Sequence, residues 1–149
     1  MHPGIGNLPW FSEFGMQQTR GFRALKLWVT LAGSGTLGLG KQIARQIALA
    51  RYLEQRIEWS PGFELRFKGP LSIVCFRYVP TEIAGDEGAI DALNKKIMEH
   101  MQAAGKAFVT SATLDSRFVL RACILHYDTV EADIDAMLQA VKSIGDSTF

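Results

Sequence analysis

The spacing of apolar residues along the chain predicts its first elements. Between residues 22 and 32, and again between residues 39 and 57, apolar side chains recur every three or four positions. This period predicts two helices, and the glycines of AGSG separate them. The stretch FELRFK then alternates apolar and charged residues, as a half-exposed strand does. LSIVCFRY follows it, after a turn at Gly69 and Pro70, as a more buried strand.

The second half of the chain continues with a helix and another pair of strands. The third helix is predicted from about Asp86 to Ala104, with Gly105 as its C-cap. AFVTSATL and RFVLRACIL are predicted strands, joined by a tight turn at Asp115 and Ser116.

A last helix ends the chain, and Asp128 with Glu131 three residues on is the cap predicted for it. Two strand pairs with tight turns favour an antiparallel sheet. The predicted fold class is therefore α+β, with an antiparallel sheet of about four strands and helices packed on one face.

The first twenty residues show no sustained period and are rich in glycine and proline. They predict an extended N-terminal arm over residues 1–20, followed by a single domain over residues 21–149. Trp10, Phe11 and Phe14 are large apolar groups in this arm, so they indicate a surface for it to lie on, in this domain or in a partner.

Composition narrows the possible partners. The chain has 149 residues, a net charge of +1 and no apolar run of membrane-spanning length, which argues against nucleic acid and membrane as partners. No secretory signal is visible at the N-terminus. The two cysteines, Cys75 and Cys123, each stand in an apolar run, which predicts two buried thiols in a cytoplasmic protein.

Two apparent motifs are excluded by their context. GSGTLG fits a dinucleotide-binding fingerprint and GTLGLGK nearly fits a P-loop, but both motifs require a strand before the glycines, and here a helix is predicted. His126 has no carboxylate partner at a recognisable spacing, so it is interpreted as a surface or structural histidine. The histidines and cysteines show no metal-ligand spacing.

Arg121 is the strongest candidate for chemistry. It lies in RFVLRACIL, where both faces of the predicted strand are apolar, so its guanidinium is expected in or beside the interior. A buried cation needs a carboxylate, a carbonyl cluster or a bound anion. A structural ion pair, with Asp115 or Asp128 as partner, is the favoured interpretation on pattern alone. The alternative is a clamp for the carboxylate of a ligand.

Three stretches carry a family resemblance: QQTRGFRALKLWVTL, FELRFKGPLSIVCFRY and LNKKIMEHMQAAGKAFVTSATLDSRFVLRACIL. Together they resemble the C-terminal small domain of group II pyridoxal-phosphate-dependent amino-acid decarboxylases, which include the aromatic-amino-acid, tyrosine, histidine and glutamate decarboxylases. The resemblance covers nearly the whole chain and is closest to the bacterial, aromatic branch. It implies the small domain of a fold-type I enzyme, with pyridoxal phosphate as the cofactor of the full-length protein.

The resemblance also implies roles for individual residues. The segment matching Thr19 and Arg20 approaches the active site near the subunit interface in that family. Arg121 matches an arginine that meets the carboxylate of substrate or product. Thr19, Arg20 and Arg121 are therefore predicted to bind substrate, and no catalytic residue is predicted within this chain.

The family's cofactor-bearing lysine follows a histidine in a large domain upstream, and no lysine of this chain follows a histidine. The resemblance thus implies a carboxy-lyase domain that contributes to the active-site wall and the dimer interface, lacks its large cofactor-binding domain and is inactive alone. Its expected partners are that large domain, further copies of itself and the small amino-acid substrate of the parent enzyme. The alternative is a free-standing module for small-molecule binding or dimerisation, which the same buried arginine would serve.

Overall fold

The structure, a computed structural model, describes residues 14–16, 21–105 and 107–148. The described residues form three α-helices and four β-strands. The elements are α1 (Arg23–Trp59), β1 (Phe63–Lys68), β2 (Ile73–Tyr78), α2 (Glu87–Ala103), β3 (Thr110–Leu114), β4 (Arg117–Cys123) and α3 (Glu131–Asp146). Their order agrees with the prediction, and the first two predicted helices both fall within α1.

Helix α1 is interrupted at Gly35, whose backbone angles of φ 66° and ψ 166° are not helical. A glycine takes this positive φ without a side-chain clash. Because the break falls within the predicted AGSG turn, the prediction of two helices is confirmed. Helical residues lie on both sides of the break, so GSGTLG lacks the preceding strand that a phosphate-binding loop requires.

The chain divides into two compact units between Leu39 and Gly40. The described residues of the first unit are mostly exposed, and they include Phe14 at 63 % and Trp28 at 66 %. Trp10 and Phe11 lie outside the described residues, as does most of the predicted arm. The predicted division into residues 1–20 and 21–149 stays a prediction.

None of the helices in the described ranges combines the length and the apolar character needed to cross a membrane.

The second unit contains one antiparallel sheet with the strand order β1-β2-β4-β3. In the centre, β2 pairs with β4 so that Cys75 lies opposite Arg121 and Phe76 opposite Leu120. The edge strand β3 pairs with β4, and there Thr110 lies opposite Arg121. Arg121 therefore has one neighbour on each side across the sheet.

The predicted turn between β3 and β4 is confirmed. Asp115 and Ser116 both have positive φ, 50° and 61°, as a two-residue hairpin turn requires. Short polar side chains tolerate this left-handed conformation better than branched ones. The predicted C-cap of α2 is wrong by one residue, because the C-cap is Ala104 and Gly105 follows it with a left-handed φ of 63°.

The two faces of the sheet differ in what they contact. Alternate strand residues pack with the second half of α1, α2 and α3 in one apolar core. The fully buried members of this core are Ala50, Leu53, Ile57, Val74, Phe76, Ile97, Met101, Leu120 and Val141. The intervening residues point the other way, because side chains alternate along a strand. The α+β fold with helices on one face is confirmed.

We call the side away from this core the outer face. It is defined by Cys75, Arg77, Val119 and Arg121 of the two central strands and by the residues paired with them. Phe67 of β1 lies opposite Cys75 and is 44 % exposed. The outer face is therefore partly open to solvent.

Helix α2 is tied to the end of β2 by Asn94, which is fully buried. Its side chain accepts a hydrogen bond from Tyr78 N and donates to Tyr78 O, both at 2.8 Å. The helix starts at Asp86, whose carboxylate accepts from Ala89 N at 3.0 Å as an N-cap. These bonds fix the start of α2 beside the end of β2.

The predicted cap of the last helix is wrong. The N-cap of α3 is Val130, and Asp133 accepts a hydrogen bond from Val130 N at 2.9 Å. Asp128 instead takes part in a turn before the helix, where its backbone N donates to His126 Nδ1 at 3.3 Å. Because this turn occupies residues 126–129, the helix begins three residues after the predicted cap.

Candidate functional site

Arg121 lies in the middle of β4, on the outer face, and is half-buried. Its Nε donates a hydrogen bond to Thr110 Oγ1 at 3.0 Å, across the β3–β4 pair. On its other side stands Cys75 of β2. The expectation of a guanidinium beside the interior is consistent with this half-burial.

Within the described residues, Arg121 forms no ion pair with a carboxylate. The two acids proposed as structural partners of Arg121 have other contacts. Asp115 lies 3.6 Å from Arg66 Nη2, and Asp128 belongs to the turn before α3. The structural ion pair with Asp115 or Asp128, favoured by the sequence pattern, is therefore not formed.

A second arginine on the outer face has the opposite environment. Arg77 is only 3 % exposed. It donates to Glu64 at 2.5 Å and 2.9 Å and to Glu87 at 2.7 Å, and its Nη1 lies 3.8 Å from Asp91. Glu64 lies directly opposite Arg77 in the β1–β2 pair. This cation is fully matched by acids.

Two more arginines extend this group. Arg66 pairs with Glu64 at 2.9 Å and reaches Asp115 at 3.6 Å, while Arg117 reaches Glu87 at 3.3 Å. We call the set of Glu64, Arg66, Arg77, Glu87, Asp91, Asp115 and Arg117 the ion network. Burial alone would raise the pKa of Glu64, but hydrogen bonds from Arg77 and Arg66 and their positive charges outweigh it and lower that pKa.

Arg77 is a site residue that the sequence patterns above do not identify. The signal was present, because Arg77 stands between apolar residues in IVCFRY just as Arg121 does in RFVLRAC. An isolated arginine in an apolar strand marks a cation that needs a partner. The pattern does not tell whether the partner is an internal acid or a ligand.

The two cysteines are both free, and they differ in exposure. Cys75 is buried and Cys123 is exposed at the end of β4, so the prediction of two buried thiols is wrong for Cys123. Burial raises the pKa of the Cys75 thiol, and the positive charge of Arg121 opposes that rise. Cys123 pairs with Ile73, two residues along the strands from the Cys75–Arg121 pair.

A cavity of about 280 Å³ opens near the end of β4, at the start of α3. It is lined mainly by apolar side chains such as Phe108, Ile124 and Met137, and Arg121 is not among its lining residues. His126 lies at this cavity, stacked on Tyr127 at a centroid distance of 4.6 Å, and is exposed. The interpretation of His126 as a surface histidine agrees with this position.

The remaining predicted site residues, Thr19 and Arg20, lie outside the described residues. Among the residues that the structure describes, no group of histidine, cysteine, aspartate and glutamate side chains could hold a metal ion.

Comparison with known proteins connects this geometry to a family. The conserved domain of pyridoxal-dependent decarboxylases matches residues 6–79. The aromatic-L-amino-acid decarboxylase of Bacillus atrophaeus is 28 % identical over 91 % of this chain, and tyrosine decarboxylase 2 of Arabidopsis thaliana is 32 % identical over 74 % of it. The chain spans only 28 % and 20 % of the lengths of these two relatives.

Solved structures agree. The crystal structure of mouse CSAD in its apo form superposes on this chain with a TM-score of 0.82 at 26 % identity. The match covers 91 % of this chain and 30 % of the CSAD chain. Oryza sativa TDC with PLP and tryptamine superposes with a TM-score of 0.76 at 27 % identity. This match covers 87 % of this chain and 28 % of the TDC chain.

In fold and sequence, the chain is similar to one α+β part of these longer decarboxylases. The match to the pyridoxal-dependent decarboxylase domain and the similarity to these relatives and structures agree with the group II pyridoxal-phosphate-dependent decarboxylases. The family resemblance in the sequence is thereby confirmed.

Proposed function

We propose that this chain is the C-terminal small domain of an amino-acid decarboxylase and that Arg121 forms part of its active-site wall. The observation that carries the proposal is an arginine on the outer face that has no acidic partner among the described residues. The relatives include decarboxylases of aromatic amino acids, whose substrates carry a carboxylate.

The geometry of Arg121 suits a carboxylate. Its Nε is engaged by Thr110, and its two terminal nitrogens have no hydrogen-bond acceptor among the described residues. A guanidinium binds the two oxygens of a carboxylate through parallel hydrogen bonds. Half-burial strengthens such a pair, because less water screens it.

Pyridoxal phosphate is the proposed cofactor of the full-length enzyme, as the bound PLP of the Oryza sativa structure supports. The described residues of this chain do not fit the role of its attachment site. A lysine that reacts with a carbonyl is typically desolvated. The described lysines Lys26, Lys41, Lys68, Lys95, Lys96 and Lys142 are all exposed. We therefore assign cofactor attachment to the large domain and expect no catalysis from this chain alone.

The large domain and a second subunit are the proposed protein partners, and an amino acid is the proposed substrate of the whole enzyme. Exposed apolar groups support such contacts: Trp28 is 66 % exposed and Phe67 is 44 % exposed. A cytoplasmic location fits the two unpaired cysteines, because thiols stay reduced in that compartment.

A domain replacement tests the assignment. This chain replaces the matching C-terminal part of the Bacillus atrophaeus decarboxylase. The release of CO₂ from aromatic amino acids by the exchange protein is then measured. We expect activity in the exchange protein and a loss of about tenfold to a hundredfold in kcat/KM for Arg121→Met, the size of a lost hydrogen bond to a charged group.

Arg117→Met is the matched control. Arg117 lies on the same strand and face as Arg121, but it already contacts Glu87. We expect its kcat/KM to stay within about threefold of the parent protein. A folded exchange protein in which Arg121→Met leaves kcat/KM unchanged would contradict the proposed role.

The chain alone provides a second test. After incubation with pyridoxal phosphate and reduction with borohydride, mass spectrometry should find no single lysine labelled stoichiometrically. A defined adduct together with turnover would contradict the assignment of cofactor attachment to the large domain.

A further inference from the structure

We propose that Thr110 is a positioning residue for Arg121, whose hydroxyl anchors one side of the guanidinium so that its terminal nitrogens present a preset fork to a carboxylate. This inference rests on the proposed function, because it assumes that Arg121 binds a carboxylate. It adds a residue on another strand, which the sequence predicts as a strand without singling out Thr110.

The register of the sheet places Thr110 beside Arg121. Thr110 is the first residue of the edge strand β3 and lies directly opposite Arg121. Side chains that are opposite each other in an antiparallel pair have Cβ atoms about 5 Å apart on the same face. A threonine hydroxyl at this position therefore reaches the first guanidinium nitrogen and not the distant terminal ones.

The hydrogen bonds fix which atom of Arg121 is used. Arg121 Nε donates to Thr110 Oγ1 at 3.0 Å, and Thr110 Oγ1 faces Arg121 O at a longer 3.4 Å. The hydroxyl can thus accept from the side chain while its own proton points at the backbone. A hydroxyl is suited to this arrangement, since it both donates and accepts.

The partner of Arg121 in this contact, the hydroxyl of Thr110, carries no charge. Had an acid occupied the place of Thr110, it would have neutralised the guanidinium, as Glu64 and Glu87 do for Arg77. A hydroxyl orients the cation and leaves its charge available. Long arginine side chains lose much rotamer freedom when they bind, so orienting one in advance raises affinity.

The test compares Thr110→Val, which keeps the shape and removes the hydroxyl, with Thr110→Ser, which keeps the hydroxyl. The whole chain is labelled with ¹⁵N, and the Nε–Hε signal of Arg121, assigned by its loss in Arg121→Lys, is followed by NMR. The probe is 3-phenylpropionate, with the neutral 3-phenylpropionamide as control ligand.

We expect a slowly exchanging Nε–Hε signal in the parent chain and in Thr110→Ser, and a faster exchanging, shifted signal in Thr110→Val. We also expect 3-phenylpropionate, and not the amide, to shift the parent signal, with a dissociation constant about threefold to tenfold weaker in Thr110→Val. Amide spectra of the backbone verify that each variant is folded.

The possible failures are distinguishable. An unchanged Nε–Hε signal in Thr110→Val overturns the positioning role whatever Arg121 binds. A changed signal with unchanged affinity for 3-phenylpropionate shows a purely structural contact and also overturns it. If the parent signal responds equally to acid and amide, the carboxylate role of Arg121 fails first, and the positioning role fails with it.

Discussion

Two of the arginines on the outer face of the sheet, Arg77 and Arg121, have opposite surroundings. Arg77 is almost fully buried and contacts Glu64, Glu87 and Asp91. Arg121, on the next strand, is half-buried and contacts the hydroxyl of Thr110. Arg77 is paired with acids of this chain, whereas Arg121 has no acidic partner among the residues that the structure describes.

The ion network makes the contrast sharper. It contains three arginines and four acids, so its arginines have enough acidic partners and none of these acids pairs with Arg121. A buried cation that loses its acids is strongly unfavourable, which assigns the network to stability. A half-buried cation without an acid contributes little to stability and is free to recognise an anion. The two environments support a structural role for Arg77 and agree with the proposed role of Arg121.

The largest expected effect follows from removing the structural arginine. In Arg77→Met the side-chain volume is nearly kept, but Glu64, Glu87 and Asp91 lose their shared cation. We expect the free energy of unfolding to fall by about 3 kcal/mol, within the range for breaking a buried ion pair. Urea denaturation followed by circular dichroism measures this loss.

Arg121→Met is the matched variant for that experiment. It removes one hydrogen bond from a half-exposed group, so we expect a loss of less than about 1 kcal/mol. If the two substitutions cost the same, the division between a structural and a functional arginine is wrong.

The sequence predicted most of the fold because the local signals agree with one another. FELRFK alternates and forms β1 over the same six residues, and the pair Asp115 and Ser116 forms the predicted turn. The helix start at Val130 was missed, since valine carries no capping side chain. There the carboxylate of Asp133, three residues into the helix, accepts the hydrogen bond from the cap backbone.

The site was predictable only in part. Arg121 stood out because a lone cation in an apolar strand needs a partner. The identity of that partner depends on which strands are neighbours, and the order β1-β2-β4-β3 is a long-range property that residue spacing does not contain. For the same reason neither the contact of Arg77 with Glu64 nor that of Arg121 with Thr110 could be derived from the sequence.

A smaller effect is expected in the dependence of stability on pH. The pKa of Glu64 is lowered in the folded state. The carboxylate of Glu64 therefore stabilises the fold fully above its unfolded pKa of about 4.3. This contribution to the free energy of unfolding is lost as the pH falls through the lowered pKa of the folded state. Glu64→Gln should therefore lose less stability than the parent chain on acidification below about pH 5. The difference should be about 1 kcal/mol or less, because Glu64 is partly exposed.

Denaturation series between pH 3 and pH 7 measure this difference. Glu99→Gln is the control, since Glu99 is exposed on α2 and forms no ion pair within the described part of the chain. Its pH profile should follow that of the parent chain. If Glu64→Gln and Glu99→Gln behave alike, the ion network does not stabilise the carboxylate form of Glu64.

The smallest expected effect tests whether the charge of Arg121 is available at the outer face. Burial raises the pKa of Cys75, and Arg121, directly opposite, opposes the rise. In a Cys123→Ser background, where Cys75 is the one remaining thiol, Arg121→Met should raise the pKa of Cys75 further. Thiolate absorbance near 240 nm during a pH titration measures the pKa of Cys75.

Arg56→Met, which removes a cation paired with Asp135 at 2.7 Å, is the control and should leave the titration of Cys75 unchanged. An unaltered Cys75 titration in Arg121→Met would mean that the guanidinium projects away from the face it is proposed to serve.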